Sequence, residues 1–85
     1  MLAFLKELIT TNPFVEEIDL ENKGITAIEP HAVDLLGRFS ELKRINLADN
    51  HIRKLPNDLS PLQFIEEFNF NGNPIEDIEA AVDSL

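Results

Sequence analysis

Cysteine is absent from this chain, which holds three glycines, two histidines and only seven basic residues among 85. Without cysteine there is no disulfide framework and no thiolate metal cluster. His31 and His51 alone provide no metal-ligand spacing. Three glycines leave no glycine-rich phosphate loop. No apolar run approaches membrane-spanning length, and the opening stretch to Ile9 is too short, and too interrupted by Lys6 and Glu7, for a signal peptide. No Asn-x-Ser/Thr sequon occurs. These absences lead to an expectation of a reducing, cytoplasmic (intracellular) setting, with no membrane, metal or cofactor.

The shortage of bases gives a net charge of −9, unevenly spread. Residues 1–41 carry −5 and residues 65–85 carry −6. Between them, residues 42–64 reach +2 through Lys43, Arg44, Arg53 and Lys54. A chain this acidic repels phosphate backbones, which argues against direct binding of nucleic acid and for a basic or polar partner surface. The length bounds the chain to one small domain, and a 44% hydrophobic content is enough for a folded core.

What is present is a threefold repetition. Val15-x-x-Ile18-x-Leu20-x-x-Lys23-x-Ile25 aligns with Leu42-x-x-Ile45-x-Leu47-x-x-Asn50-x-Ile52 and with Ile65-x-x-Phe68-x-Phe70-x-x-Asn73-x-Ile75. The two-residue alternation at positions four and six of each unit predicts strands over about 15–20, 42–47 and 65–70, each with one face buried. Each unit returns to its start by the same route, so neighbouring strands must run parallel. Leu20, Leu47 and Phe70 should then lie one above another in a shared wall.

The connecting segments differ in length. Val15 to Leu42 is 27 residues and Leu42 to Ile65 is 23. Four extra residues amount to one helical turn. With Pro30 at a first-turn position and Val33 and Leu36 facing inward, the first connection predicts a true helix on the convex side. The second, Leu55-Pro56-x-x-Leu59-x-x-Leu62, predicts a tight turn or short 3₁₀ segment. Ahead of the repeats, Leu2, Leu5, Leu8 and Ile9 form a helical stripe, with Phe4 beside them, ended by Asn12-Pro13. This helix, residues 1–12, is expected to cap the open end of the first unit, both its apolar core and its unpaired strand backbone. Residues 13–85 then hold three units, about 15–41, 42–64 and 65–85. At the far end, Ile78, Val82 and Leu85 predict a helix over 76–84, with Glu76 and Asp77 at its start. Either that helix closes the stack or the chain is a fragment of a longer one.

The pattern resembles the leucine-rich repeat family over about residues 15–85. The second unit, from Leu42 to the Leu55-Pro56 step, is similar to the 23-residue intracellular type. The absence of cysteine agrees, because extracellular members generally cap their ends with disulfide-bonded segments. The resemblance implies an α/β fold, a right-handed solenoid with a short parallel sheet on its concave face. It also implies that the ninth-position asparagines, Asn50 and Asn73, form a ladder, hydrogen-bonding the turn and the next repeat. Lys23 departs from that pattern, and reads as a tolerated surface lysine in an outermost unit whose stem reaches water.

In this family the concave sheet is the commonest binding surface. The exposed positions there are two, three, five, seven and eight. They give Glu16, Glu17, Asp19, Glu21 and Asn22, then Lys43, Arg44, Asn46, Ala48 and Asp49, then Glu66, Glu67, Asn69, Asn71 and Gly72. In the position-two and position-three columns a base lies between two acids, a ladder that strand registry and solubility explain as well as binding does. The Asp19-Asn46-Asn69 and Glu21-Ala48-Asn71 columns are uncompensated and suit a basic or polar helix or loop. No large aromatic anchor is exposed on this face. Phe64 reads as a core residue, with a projecting anchor as the other reading.

Catalysis is not expected. His31 and His51 read as surface residues, and Ser40, Ser60 and Ser84 have no histidine at a suggestive position. Glu16-Glu17 and Glu66-Glu67 are paired carboxylates without an apolar cleft to perturb them. The expectation is therefore a protein–protein interaction module, an adaptor or scaffold. The alternative is a structural capping or assembly element that pairs through strand 65–70. The chain would be a monomer or a weak edge-mediated oligomer.

Overall fold

A computed structural model describes residues 1–76 of the chain. The expected helix over 76–84, with Ile78, Val82 and Leu85, lies outside the described residues apart from its first position. The elements are α1 (Leu2–Thr11), β1 (Glu17–Asp19), α2 (Pro30–Leu36), β2 (Arg44–Asn46), a 3₁₀ turn (Ser60–Leu62) and β3 (Glu67–Asn69). The three strands form one parallel sheet in the order β1-β2-β3. Its register is that of the sequence alignment: Ile18 beside Ile45 beside Phe68, and Asp19 beside Asn46 beside Asn69. Leu20, Leu47 and Phe70 follow one residue later in the same row.

The strands are shorter than the expected six residues, and the hydrogen bonds show why. At their start, Lys43 N–H and Arg44 N–H both donate to Glu16 C=O, and Glu66 N–H and Glu67 N–H both donate to Lys43 C=O. Two successive amides on one carbonyl interrupt a regular ladder. At their end the backbone turns through left-handed residues at the eighth position, Asn22 (φ 54°), Asp49 (φ 55°) and Gly72 (φ 79°). Asn, Asp and Gly tolerate that conformation best. Cross-strand bonds nonetheless continue beyond the strands, from Leu20 N–H to Asn46 C=O (2.8 Å) and from Asp49 N–H to Asn71 C=O (2.8 Å).

The core lies between the sheet and a layer made of α1, α2 and the 3₁₀ turn. Pro30 opens α2, whose Ala32, Val33, Leu35 and Leu36 are all buried. The second connection is the predicted 3₁₀ turn, with Leu55, Leu59 and Leu62 buried. Asp58 braces it, its carboxylate accepting from Ser60 N–H at 2.9 Å. α2 stops at Gly37, where the need for glycine is space rather than dihedral angle: a Cβ would come within 2.9 Å of Pro61 Cβ and Pro61 C=O. α1 buries Leu5 completely and packs against α2 rather than along β1. The helix therefore packs on the apolar core and not along the backbone edge of the first strand.

Asn50 is the one buried polar residue among those described. Its Oδ1 accepts from Lys23 N–H (2.9 Å) and Ile25 N–H (3.0 Å), and its Nδ2 donates to Leu20, Leu47 and Ala48 carbonyls. Asn73 repeats the arrangement one unit on, accepting from Ile52 N–H and donating to Leu47 and Phe70 carbonyls. Each side chain thus reaches its own turn and the preceding unit, not the next one. That corrects the expected direction and accounts for Lys23: the first of the three strands has no earlier turn to bond, so position nine there needs no amide.

Replacing Asn50 by alanine strands two backbone N–H groups and should cost about 3 kcal/mol, whereas Lys23→Ala should stay within about 0.5 kcal/mol of the parent. Chemical denaturation of both variants checks the contrast; equal midpoints would remove it. The hydrogen bonds from Ser60, side chain first and then backbone, hold the Asp58 carboxyl below its ordinary value. Its folded-state stabilisation is therefore complete above the usual aspartate range and lost as pH falls through its own lower value. Asp58→Ala should narrow its stability gap to the parent only on that acid limb, as read by denaturation at stepped pH.

Candidate protein-recognition face

On the open side of the sheet the exposed residues alternate with buried ones, Glu17 and Asp19 flanking Ile18 in β1. This brings together Glu16, Glu17, Asp19, Glu21, Lys43, Arg44, Asn46, Glu66, Glu67, Asn69 and Asn71 as three adjacent rows. A shallow depression of about 330 Å³, lined by Glu17, Arg44, Ile45, Asn46, Glu67 and Asn69, lies across their middle.

The charge ladder closes on one side only. Lys43 Nζ lies 3.5 Å from Glu16 and Arg44 Nε lies 3.2 Å from Glu17, so both bases lean toward the first row. Glu66 and Glu67 have no ion pair among the described residues. The face is therefore polarised: Glu16 and Glu17 are paired across to the second row, while Asp19, Glu21, Glu66 and Glu67 make no ion pair among the described residues.

Two columns do structural work that spacing alone did not reveal. Asp19, Asn46 and Asn69 each accept, through Oδ1, the N–H two residues on: Glu21 at 3.1 Å, Ala48 at 3.0 Å and Asn71 at 2.9 Å. These are Asx turns, and they explain why position five is always Asp or Asn. With Oδ1 engaged in these turns, Asn46 and Asn69 keep their amide donors free and Asp19 its second carboxylate oxygen. Position eight, including Asp49, is chosen by its left-handed backbone, and a Cβ at Gly72 would run into the Asp49 carboxylate. Ala48, grouped with the face by spacing, is only 5% exposed, although it is not part of the packed core cluster.

Phe64 also departs from expectation. It is 84% exposed, because Ile65 takes the inward place at the start of the third unit. Phe14, 69% exposed, holds the same place before the first unit. The column reads Phe14, Glu41, Phe64, and the glutamate in it was the available signal that this position faces solvent. The sheet register puts the two phenylalanines on one rim of the sheet, at the strand starts, two strand spacings or roughly 10 Å apart. A cavity of about 340 Å³ beside Phe64 is walled by Gly37, Ser40, Glu41, Lys43, Pro61 and Glu66, among others.

His31 and His51 are exposed and on different segments, and no group of three metal-ligating side chains occurs among the described residues. No helix among them is long and apolar enough to cross a membrane. The chain matches no family model and no curated protein.

The one-sided ladder can be measured. A double-mutant cycle should give the Glu17–Arg44 pair a coupling of about 0.5 kcal/mol and the Arg44–Glu67 pair a value near zero. The reverse order would show that Arg44 leans the other way in solution.

Proposed function

We propose that this chain is a leucine-rich repeat module of the intracellular type, built to recognise another protein through the open face of its sheet. The observation that carries this reading is the agreement between motif and register: three aligned units supply three parallel strands, tied by a position-nine asparagine, with one face left polar and exposed. The further steps, a right-handed solenoid and a concave sheet, rest on the sequence resemblance. The uncompensated carboxylates of Asp19, Glu21, Glu66 and Glu67 favour a partner with basic residues, and opposite charge gives such contacts their rate and selectivity. Phe14 and Phe64 add what the face itself lacks, large apolar side chains at its border that can anchor a contact.

Glu66 and Glu67 make no ion pair in the described residues, and their side chains carry no turn, so they can be reversed without loss of fold. Affinity capture from the cells that make the chain should retain a partner with the parent and with Lys54→Glu. It should lose that partner by about tenfold or more with the Glu66→Lys/Glu67→Lys double variant. Undiminished capture by the double variant would place recognition elsewhere. Sedimentation of the isolated chain tests the structural alternative, since pairing through strand β3 requires growth with concentration.

A further inference from the structure

The sheet has an open edge at β1. Glu16 C=O accepts from Lys43 and Arg44, and Leu20 N–H donates to Asn46 C=O, so Glu16, Ile18 and Leu20 direct their backbone groups toward β2. By the alternation of a strand, Glu17 and Asp19 direct theirs away from it. Nothing among the described residues takes up those groups, since α1 packs on α2 and leaves the edge bare. Side chains along this edge are acidic throughout: Glu16, Glu17, Asp19 and Glu21. Lys43 and Arg44 pair with Glu16 and Glu17 from the β2 side, and Lys23 lies at the strand's end, while Asp19 and Glu21 make no ion pair among the described residues. Where the strand ends, a cavity of about 420 Å³ opens between Met1 and Phe4 of α1 and Asp19, Leu20, Lys23 and Ile25. Its apolar members are Met1, Phe4, Leu20 and Ile25.

We propose that the free edge of β1 is a strand-addition site for an extended, basic segment of another protein, in which basic and apolar residues alternate. An added strand would accept from and donate to Glu17 and Asp19. Its residues on the open face would lie beside the Glu17 and Asp19 carboxylates, where opposite charges across a strand pair stabilise and like charges repel. Its residues on the other face would enter the cavity beside Leu20 and Ile25. A second copy of this chain is the wrong occupant, because edge-to-edge pairing would set one acidic row against another in a molecule of net charge −9. The proposal rests on the reading of the chain as a protein-recognition module, but moves the backbone contact from the face of the sheet to its edge.

The test uses the isotope-labelled 85-residue chain and a synthetic peptide, Lys-Val-Lys-Val-Lys-Val-Lys, blocked at both ends. At saturating peptide, amide hydrogen exchange at Glu17 and Asp19 should slow by about tenfold or more, while Ile18, already bonded to β2, changes little. The same peptide with its edge-facing backbone nitrogens methylated should not slow it, nor should the Glu-Val counterpart. Binding with shifts at Asn46, Glu67 and Asn69 but unchanged exchange at Glu17 and Asp19 would overturn the edge site and leave the face reading standing. Absence of binding at millimolar peptide would overturn it too, and the fate of the face would then depend on the Glu66/Glu67 reversal alone.

Discussion

One side-chain amide holds the first two units of this protein together. Asn50 places both of its polar atoms in a turn where the backbone has left the sheet, and meets five backbone groups there. A tight turn inside a packed stack hides N–H and C=O groups from water, and each one left unpaired is costly. Only an asparagine has a donor pair and an acceptor at this reach. An aspartate would place a charge against three carbonyls, and an alanine would leave the Lys23 and Ile25 N–H groups unmet. The amide ties the second turn to the first, beside the parallel register that the strand hydrogen bonds set.

The same turn explains much of the surface. Position five supplies an Asx turn, position eight a left-handed residue and position nine the bridging amide, so three of nine positions are fixed by the backbone before any partner is considered. What remains free to vary is narrower than the motif implies: positions two, three and seven, with the residue just ahead of each unit. In those columns lie the uncompensated acids Glu21, Glu66 and Glu67 and the exposed Phe14 and Phe64. On the proposed reading, specificity would come from these few places, which this chain fills with negative charge on the face and apolar bulk on the rim.

Much of this was legible in the order of residues. Alternation at positions four and six located the strands, and the extra turn between Val15 and Leu42 separated the true helix Pro30–Leu36 from the 3₁₀ turn Ser60–Leu62. These features are local, or repeat at a fixed period, and periodicity reports them well. The misreadings concern direction and depth. Spacing cannot say whether Asn50 reaches forward or back, because both neighbours carry the same motif. It does not show that Arg44 prefers Glu17 over Glu67, which depends on the tilt of a side chain. Phe64 was misplaced because Ile65, after the 3₁₀ segment, takes the inward place. Nor could an amphipathic stripe show that α1 would settle on α2 and leave β1 uncovered.

The backward reach of the asparagines gives the stack a polarity in the order of its making. Lys23 N–H and Ile25 N–H lie in a turn that their own unit cannot close, and their acceptor arrives only when residue 50 does. A ribosome releasing this chain would therefore present an unfinished first layer, its amides hydrated and its wall incomplete, until the second layer emerged to complete it. The second layer thus completes the turn of the first, and the third layer, through Asn73, completes that of the second.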